Sequence, residues 1–289
     1  FIKSVLDLGI SNGLLVFGFH WGFICYYLFF KEFQIFFNTR IIFYILSFIT
    51  ILEGILVNTI VDAKSLPIYP LAEATTHFSS IWQRSYSFGG NASVTGVLII
   101  TLLTLLPFSK FRLFLASVVM AFSASASGVI SFFIYLGLNL KKFWRWSYLI
   151  LIFFVGIIFY FLILKFSGEI GYFSKLSIDY FTFLFNQKVG RAIDSINSMT
   201  FIQHLFGSLN AIDTGGDFSF VNFYRCHGIS GLVIISYFII RNLSSKNRLP
   251  ILLMVLFTLH YHIIFSAPGQ VILGYLLSLK KNKNLALNN

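Results

Sequence analysis

The sequence predicts an all-α fold: a polytopic transmembrane helix bundle, with about nine crossings and a large, partly helical extracytoplasmic loop. Three observations predict this fold class. First, 57% of the 289 residues are hydrophobic and 11% are charged, whereas about a quarter of a soluble domain is charged. Second, the mean hydropathy is +0.83, and apolar runs of the length that crosses a bilayer recur along the chain. Third, residues 165–225 form a polar stretch that contains five of the ten acidic residues.

Seven apolar runs account for the predicted crossings. They cover residues 8–30, 41–60, 94–106, 111–140, 148–164, 228–240 and 249–279. The runs 111–140 and 249–279 are each about 30 residues long, which is long for one span and short for two. We expect the first to break at the small residues 123–128 and the second at Pro268-Gly269. Two crossings in each case place the basic residues that follow on the cytoplasmic side.

This topology places the N-terminus outside and the C-terminus inside. It treats residues 1–289 as a single membrane domain and puts two polar loops on the same outer face, an outer loop at 61–92 and a large outer loop at 165–226. The net charge of +11 then reflects basic residues in short cytoplasmic loops, and not a nucleic-acid partner. Because Phe1 lies directly before a span, we expect further spans to precede it.

The sequence contains no established catalytic or cofactor motif. It has no HExxH, no phosphate-binding loop of the Walker type, no dinucleotide glycine pattern and no GxSxG. The string Asp213-Thr-Gly-Gly-Asp217 is similar to a metal or phosphate loop, although Asp and Gly are also common in turns. Cys25 and Cys226 provide neither a disulfide framework nor a metal spacing. We therefore predict no metal and no cofactor.

Two arginines are the main candidates for binding an anionic substrate. Arg84 lies just before the run that starts at residue 94, among polar and glycine residues, and Arg191 lies in the middle of the large polar stretch. Arginine keeps its charge and presents a fork of donors that fits phosphate oxygens. The alternative is that each guanidinium only reaches the lipid headgroups at the membrane surface.

Six further polar residues could take part in chemistry. Asp217 lies eleven residues before Gly228 and could orient or deprotonate a hydroxyl, or could cap the helix that follows. His77 and His204 are possible bases, but each is a lone histidine, for which a structural role is common. His260 and His262 lie in the last apolar run as polar groups that could face a cavity. Glu53 is an intramembrane acid that could pair with an arginine on the outer side.

Three motifs follow one another in an order that resembles a known family. They are Arg84-Ser-Tyr-Ser-Phe-Gly-Gly-Asn-Ala-Ser-Val-Thr-Gly, then Phe122-Ser-Ala-Ser-Ala-Ser-Gly-Val-Ile, and then Arg191, Phe206-Gly207, Asp217 and Gly228-Ile-Ser-Gly231. This pattern, over most of residues 84–240, resembles the O-antigen polymerases (Wzy family) and, more distantly, the O-antigen ligases. The arginine often found within the serine-rich motif of the family is absent here.

The resemblance implies a metal-independent glycosyltransferase of the bacterial inner membrane. Its substrates would be undecaprenyl diphosphate-linked oligosaccharides, and the growing glycan would move from its lipid carrier onto a new lipid-linked repeat unit. Arg84 and Arg191 would neutralise the leaving diphosphate, and Asp217 would orient the acceptor. The residues expected to bind substrate are His77, Asn91, His204 and Asp213. The lipid bilayer and a chain-length regulator protein are the other expected partners.

Two alternatives remain open from the sequence. The O-antigen ligases place a histidine in the loop region that corresponds to residues 218–223, where this chain has none, so the polymerase is favoured over the ligase. A polysaccharide flippase or another transporter more often shows internal repeats and broken helices at the membrane midplane. No convincing repeat is present, and the polar groups concentrate in the outer loops, which favours surface chemistry over transport.

Overall fold

The computed structural model describes residues 2–33, 35, 37–60, 84–139, 186–208, 218–259 and 261–279. The regular elements in these ranges are helices, and no strand occurs among them, which confirms the predicted all-α class. The helices are α1 (Ile2–Phe33), α2 (Thr39–Thr59), α3 (Ala92–Thr104), α4 (Lys110–Ser123), α5 (Ala126–Leu138), α6 (Arg191–Asn197), α7 (Phe201–Phe206), α8 (Ser219–Arg241), α9 (Arg248–Thr258) and α10 (Ala267–Ser278).

Among the residues that the structure describes, three helices are long and apolar enough to cross a membrane. They are Gly13–Phe33 within α1, Thr39–Thr59 (α2) and Ser219–Arg241 (α8), with 21, 21 and 23 residues. Helix α2 shows the side-chain distribution expected in lipid. It buries Ser47, Thr50 and Gly54 and exposes Phe48 and Leu52. Small and polar residues, together with Phe43 and Val57, therefore face the protein, and other large apolar residues face outward, as in membrane helix packing.

The apolar run 111–140 breaks where the small residues predicted it. Helix α4 ends at Ser123, Ala124 adopts a left-handed conformation (φ 43°), and Ser125 caps α5 by accepting a hydrogen bond from the Gly128 amide. At 1.5 Å per residue, α4 and α5 are each about 20 Å long, shorter than the roughly 30 Å hydrocarbon core. Non-helical backbone at membrane depth must be covered by protein or border water.

The run 249–279 also breaks, but not at Pro268-Gly269 as predicted. Helix α9 ends at Thr258, and α10 begins at Ala267 with Ser266 as its N-cap. The proline and the glycine therefore lie in the first turn of α10. Proline is tolerated there because the first amides of a helix have no intrahelical partner. The sequence Ser-Ala-x-Gly thus opens both α5 and α10, with the serine capping the glycine amide in each.

The chain forms two compact units. The first unit comprises Phe1–Thr39 and Leu184–Asn289, and the second unit comprises Arg40–Phe183. The predicted span at 148–164 lies outside the described residues. The count of nine crossings, the single membrane domain and the sides of the two loops stay predictions.

Pairs of helices pack closely within each unit. In the second unit, α3 and α5 run in the same direction, and a Cβ on Gly96 would lie 3.0 Å from the Cα of Gly128. In the first unit, α1 and α10 run in the same direction. The Gln270 Nε2 of α10 donates to the Gly18 and Phe19 carbonyls of α1 at 2.9 and 2.6 Å. These contacts hold the polar residues of each unit in place.

Candidate functional site

The segment that precedes α3 lies against the break between α4 and α5. The Ser85 amide donates to the Phe122 carbonyl at 3.0 Å, and the Arg84 Nε donates to the Ser123 carbonyl at 3.2 Å. Both carbonyls belong to the last turn of α4, where helical carbonyls lack intrahelical partners. The segment therefore satisfies the end of α4, and the end of α4 fixes the position of Arg84.

Arg84 is half-buried and retains most of its hydrogen-bonding capacity. A guanidinium has five N–H donors in a planar fork. In the part of the chain that the structure describes, the Nε–H is the donor that is used. The N–H groups on the two terminal nitrogens can therefore bind a ligand, and their geometry matches two oxygens of one phosphate.

Two side chains of α2 hold the segment from the other side. The Glu53 Oε1 accepts a hydrogen bond from the Tyr86 amide at 2.8 Å, and the Thr50 Oγ1 donates to the Ser87 Oγ at 2.9 Å. An acid within a membrane helix needs a polar partner. Glu53 has such a partner in the Tyr86 amide, two residues after Arg84, so its carboxylate positions the segment that contains the arginine.

The first turns of α3 and α5 meet beside Arg84. The Ser125 Oγ donates to the Ser93 Oγ at 2.9 Å, which joins the N-cap of α5 to the first turn of α3. Each helix N-terminus has unpaired amides and a partial positive charge of about half a unit. We call Arg84, Asn91, Ser93, Ser123 and Ser125 the Arg84 site. It combines a guanidinium with two helix N-termini, an arrangement that favours an anion.

Asn91, predicted to bind substrate, caps α3 in the structure. Its Oδ1 accepts from the Ser93 amide at 2.8 Å. We expect Asn91→Ala to lower the free energy of unfolding by about 1 kcal/mol and Asn91→Ser to change it by less than about 0.5 kcal/mol, because serine caps nearly as well. Thermal melts of the purified variants in detergent measure this difference. Equal losses for both variants would contradict the capping role, and a stable but inactive Asn91→Ser would support substrate binding.

In the first unit, two glycines allow the backbone at the end of α7 to pack closely against a kink in α8. Gly228 has φ 65° and ψ −165° inside α8, and Gly207 has φ 74° directly after α7. A Cβ on Gly207 would lie 2.2 Å from the Cys226 carbonyl carbon, and one on Gly228 would lie 2.5 Å from the Leu205 carbonyl carbon. The kink coincides with the predicted start of a span at residue 228, although α8 itself begins earlier, at Ser219.

His204, predicted to bind substrate, lies on α7 and is half-buried. Its Nδ1 is 2.7 Å from the Tyr224 hydroxyl of α8. The Ser208 amide also bonds to α8, donating to the Arg225 carbonyl at 2.6 Å. These two contacts attach α7 and Ser208 to α8, so the His204 imidazole lies beside the kink in α8.

Three histidines of the first unit, His20, His227 and His262, form a cluster that the sequence did not predict. The His227 Nε2 is 3.0 Å from the His20 Nδ1, across 207 residues of sequence, and the His20 ring is 3% exposed. His262 is exposed, and its Nδ1 is 2.5 Å from the Ser219 Oγ. Ser219 is 2% exposed, and a buried hydroxyl needs an acceptor, so its hydrogen bond to His262 fixes the orientation of that imidazole.

The structure places the other predicted residues as follows. Arg191 is the first residue of α6. His77, Asp213, Asp217 and His260 lie outside the described residues. The N-cap of α8 is Phe218, without a side-chain cap. The second unit contains Arg84 and Asn91, and the first unit contains Arg191 and His204.

In the described ranges, no group of three or more histidine, cysteine, aspartate or glutamate side chains could hold a metal ion. Comparison with protein-family models, with curated proteins and with solved structures finds no match to this chain.

Proposed function

We propose that this protein is a membrane glycosyltransferase that polymerises surface polysaccharide repeat units, as the O-antigen polymerases do. The observation that supports the proposal best is the Arg84 site. Its guanidinium is anchored by the Nε and keeps its terminal donors for a ligand, beside the N-termini of α3 and α5. Such a site suits the diphosphate of a lipid-linked donor sugar.

The proposed reaction moves a glycan between two lipid-linked molecules. The bond between the anomeric carbon and the donor diphosphate breaks, and an acceptor hydroxyl oxygen forms the new bond to that carbon. The hydroxyl loses its proton, and undecaprenyl diphosphate leaves with additional negative charge. Preorganised donors aimed at developing charge commonly supply the largest part of catalysis. Arg84 and the two helix N-termini have that role in this proposal.

Other residues have roles that rest on the family resemblance. Arg191, at the start of α6, is the second arginine for the diphosphate, and Asp217 orients the acceptor hydroxyl. His77, His204 and Asp213 bind the saccharide. The imidazole of His204 suits this role because Tyr224 holds it in place.

The proposal includes a location and a topology. The protein lies in the bacterial inner membrane with about nine crossings, and the loops 61–92 and 165–226 face the periplasm. The helices long enough to cross a membrane and the lipid-facing surface of α2 support a bilayer environment. The basic residues after the apolar runs support the orientation.

Reconstitution of the purified full chain in phospholipid vesicles tests this function. Undecaprenyl diphosphate-linked repeat units are added with EDTA, and the products are resolved by glycan length. A polymerase extends the lipid-linked glycan and releases one undecaprenyl diphosphate for each bond formed. A ligase gives product only after lipid A core is added. A flippase moves the lipid-linked unit across the bilayer without forming a glycosidic bond. Either of the last two results would overturn the proposal.

A further inference from the structure

We propose that the N-terminus of α4 binds a phosphate anion, supplied by the headgroup of an anionic phospholipid, through Arg112 and the first amides of the helix. This end of α4 is opposite to Ser123, which contacts Arg84. At 1.5 Å per residue, the two ends of the 14-residue helix are about 20 Å apart. The lipid site is therefore separate from the proposed diphosphate site and does not depend on it.

Arg112 is the residue that requires a ligand. Its side chain is 9% exposed, and its buried Nε has no hydrogen-bond partner among the residues that the structure describes. An arginine cannot lose its charge at physiological pH. A buried donor that lacks a partner is unfavourable, so we expect an anion to accept a hydrogen bond from the Nε of this guanidinium.

The described side chains of the second unit do not supply that anion. Glu53 is the one carboxylate among them, and its Oε1 accepts from the Tyr86 amide. Ser85, next to Tyr86, bonds to Phe122 in the last turn of α4, which is the end opposite to Arg112. Tyr135, on α5, interacts electrostatically with Arg112. A phenol is neutral at physiological pH, so Tyr135 does not neutralise the arginine.

The N-terminus of α4 provides further donors for the same anion. Ser109 is the N-cap residue, but its side chain makes no capping hydrogen bond. The amides of Phe111 and Arg112 are among those that a helix leaves unpaired at its start. Side chains on a helix lean toward its N-terminus, which directs Arg112 toward these amides. A guanidinium together with helix N-terminal amides is a recurrent arrangement for binding phosphate.

The surface around the N-terminus of α4 suits a phosphate that is part of a lipid headgroup. Phe111 and Phe114, in the same two turns of α4, are each 61% exposed, as expected for side chains against acyl chains. The sequence places this end of α4 on the cytoplasmic side, together with Lys110. Anionic phospholipids are concentrated in that leaflet in many membranes, and basic residues near the surface attract them.

The test measures lipid retention by the purified full chain. Wild type, Arg112→Gln and Arg112→Lys are compared by native mass spectrometry after exchange into detergent containing phosphatidylglycerol or phosphatidylcholine. Arg248→Gln is the matched control, because Arg248 is an exposed arginine at the start of another helix, α9. Thermal melts with inorganic phosphate, in detergent without lipid, form a second arm.

We expect wild type and Arg248→Gln to retain phosphatidylglycerol in preference to phosphatidylcholine. Arg112→Gln should bind phosphatidylglycerol about tenfold more weakly, which corresponds to the loss of one charge-assisted hydrogen bond. Arg112→Lys keeps the charge and should lie between them, so it remains informative if Arg112→Gln does not fold. Phosphate-dependent stabilisation without any lipid preference would identify free phosphate as the ligand and overturn the lipid assignment. Unchanged retention and stabilisation in both Arg112 variants would overturn the site.

Discussion

Arg84→Ala is expected to abolish the long-chain polysaccharide ladder in cells that lack the native gene. The proposed role of Arg84 is to stabilise charge on the leaving diphosphate. Loss of one preorganised donor of this kind costs about 3 kcal/mol of transition-state stabilisation, or roughly a hundredfold to a thousandfold in rate. Chain-length analysis of the surface polysaccharide on gels measures the effect, with the amount of protein in the membrane checked in the same cells.

The pattern of products separates the possible functions. If core carrying a single repeat unit persists while the ladder disappears, polymerisation is lost and ligation survives. If the single-repeat form also disappears, ligation or flipping becomes the better assignment. Arg84→Lys keeps the positive charge but loses the planar fork, so we expect shorter chains in reduced amount.

A control arginine shows whether any loss of charge would have the same effect. Arg241 is exposed near the end of α8, with a hydrogen bond from its Nη1 to the Tyr237 hydroxyl at 3.3 Å. Arg241→Ala should leave the ladder unchanged. A normal ladder in Arg84→Ala, with protein present at the wild-type level, would refute the role of Arg84 in catalysis.

Part of the geometry around Arg84 was predictable from short local motifs. The small residues 123–128 predicted the break between α4 and α5, and the break exposes the carbonyl that Arg84 bonds to. Polar and glycine residues around Arg84 made it a candidate for binding an anion, which stays a prediction. What the sequence did not predict is that the two motifs touch, since residues 84 and 123 are brought together only by the packing of α3 against α4 and α5.

The histidine cluster could not be predicted from the sequence for the same reason. His20 lies in an apolar run and His227 borders one, and nothing in the local sequence around either residue indicates that the other is its partner. Their contact depends on α1 and α8 packing side by side across 207 residues of sequence. His262 was identified as a polar group in an apolar run, but Ser219 as its partner was not.

The break within 249–279 shows the limit of reasoning from single residues. Proline and glycine predicted the end of a helix at 268–269, yet both are accommodated at the start of α10. The deciding residue is Ser266, whose side chain caps the Gly269 amide at 3.2 Å. A capping serine two residues before a proline marks a helix start, so the break precedes the proline.

Gly228→Ala is expected to prevent stable folding of the first unit. Gly228 has φ 65° and ψ −165°, a region open almost only to glycine, where other residues are strained by about 1–3 kcal/mol. The added Cβ would also lie 2.5 Å from the carbonyl carbon and oxygen of Leu205, and backbone atoms cannot move aside as a flexible side chain can. We expect destabilisation of more than about 3 kcal/mol, measured by thermal melts and by the amount of protein in the membrane.

Gly18→Ala is the matched control in the same unit. Gly18 is an exposed residue of α1, and a Cβ there would meet no atom within 4 Å. Because alanine favours the helix over glycine by up to about 1 kcal/mol, this variant should be as stable as wild type or slightly more stable. A Gly228→Ala protein as stable as Gly18→Ala would show that the kink in α8 does not require glycine.

Combining Gly228→Ala with Gly207→Ala tests whether the two glycines form a single contact. Each glycine lets its own turn approach the backbone of the other segment, Gly207 beside Cys226 and Gly228 beside Leu205. Once one substitution has pushed α7 away from the kink, the second has less contact left to break. The double variant should therefore lose less stability than the sum of the single losses, with an interaction energy of about 0.5–3 kcal/mol. Additive losses would mean that each glycine is needed only for its own backbone conformation.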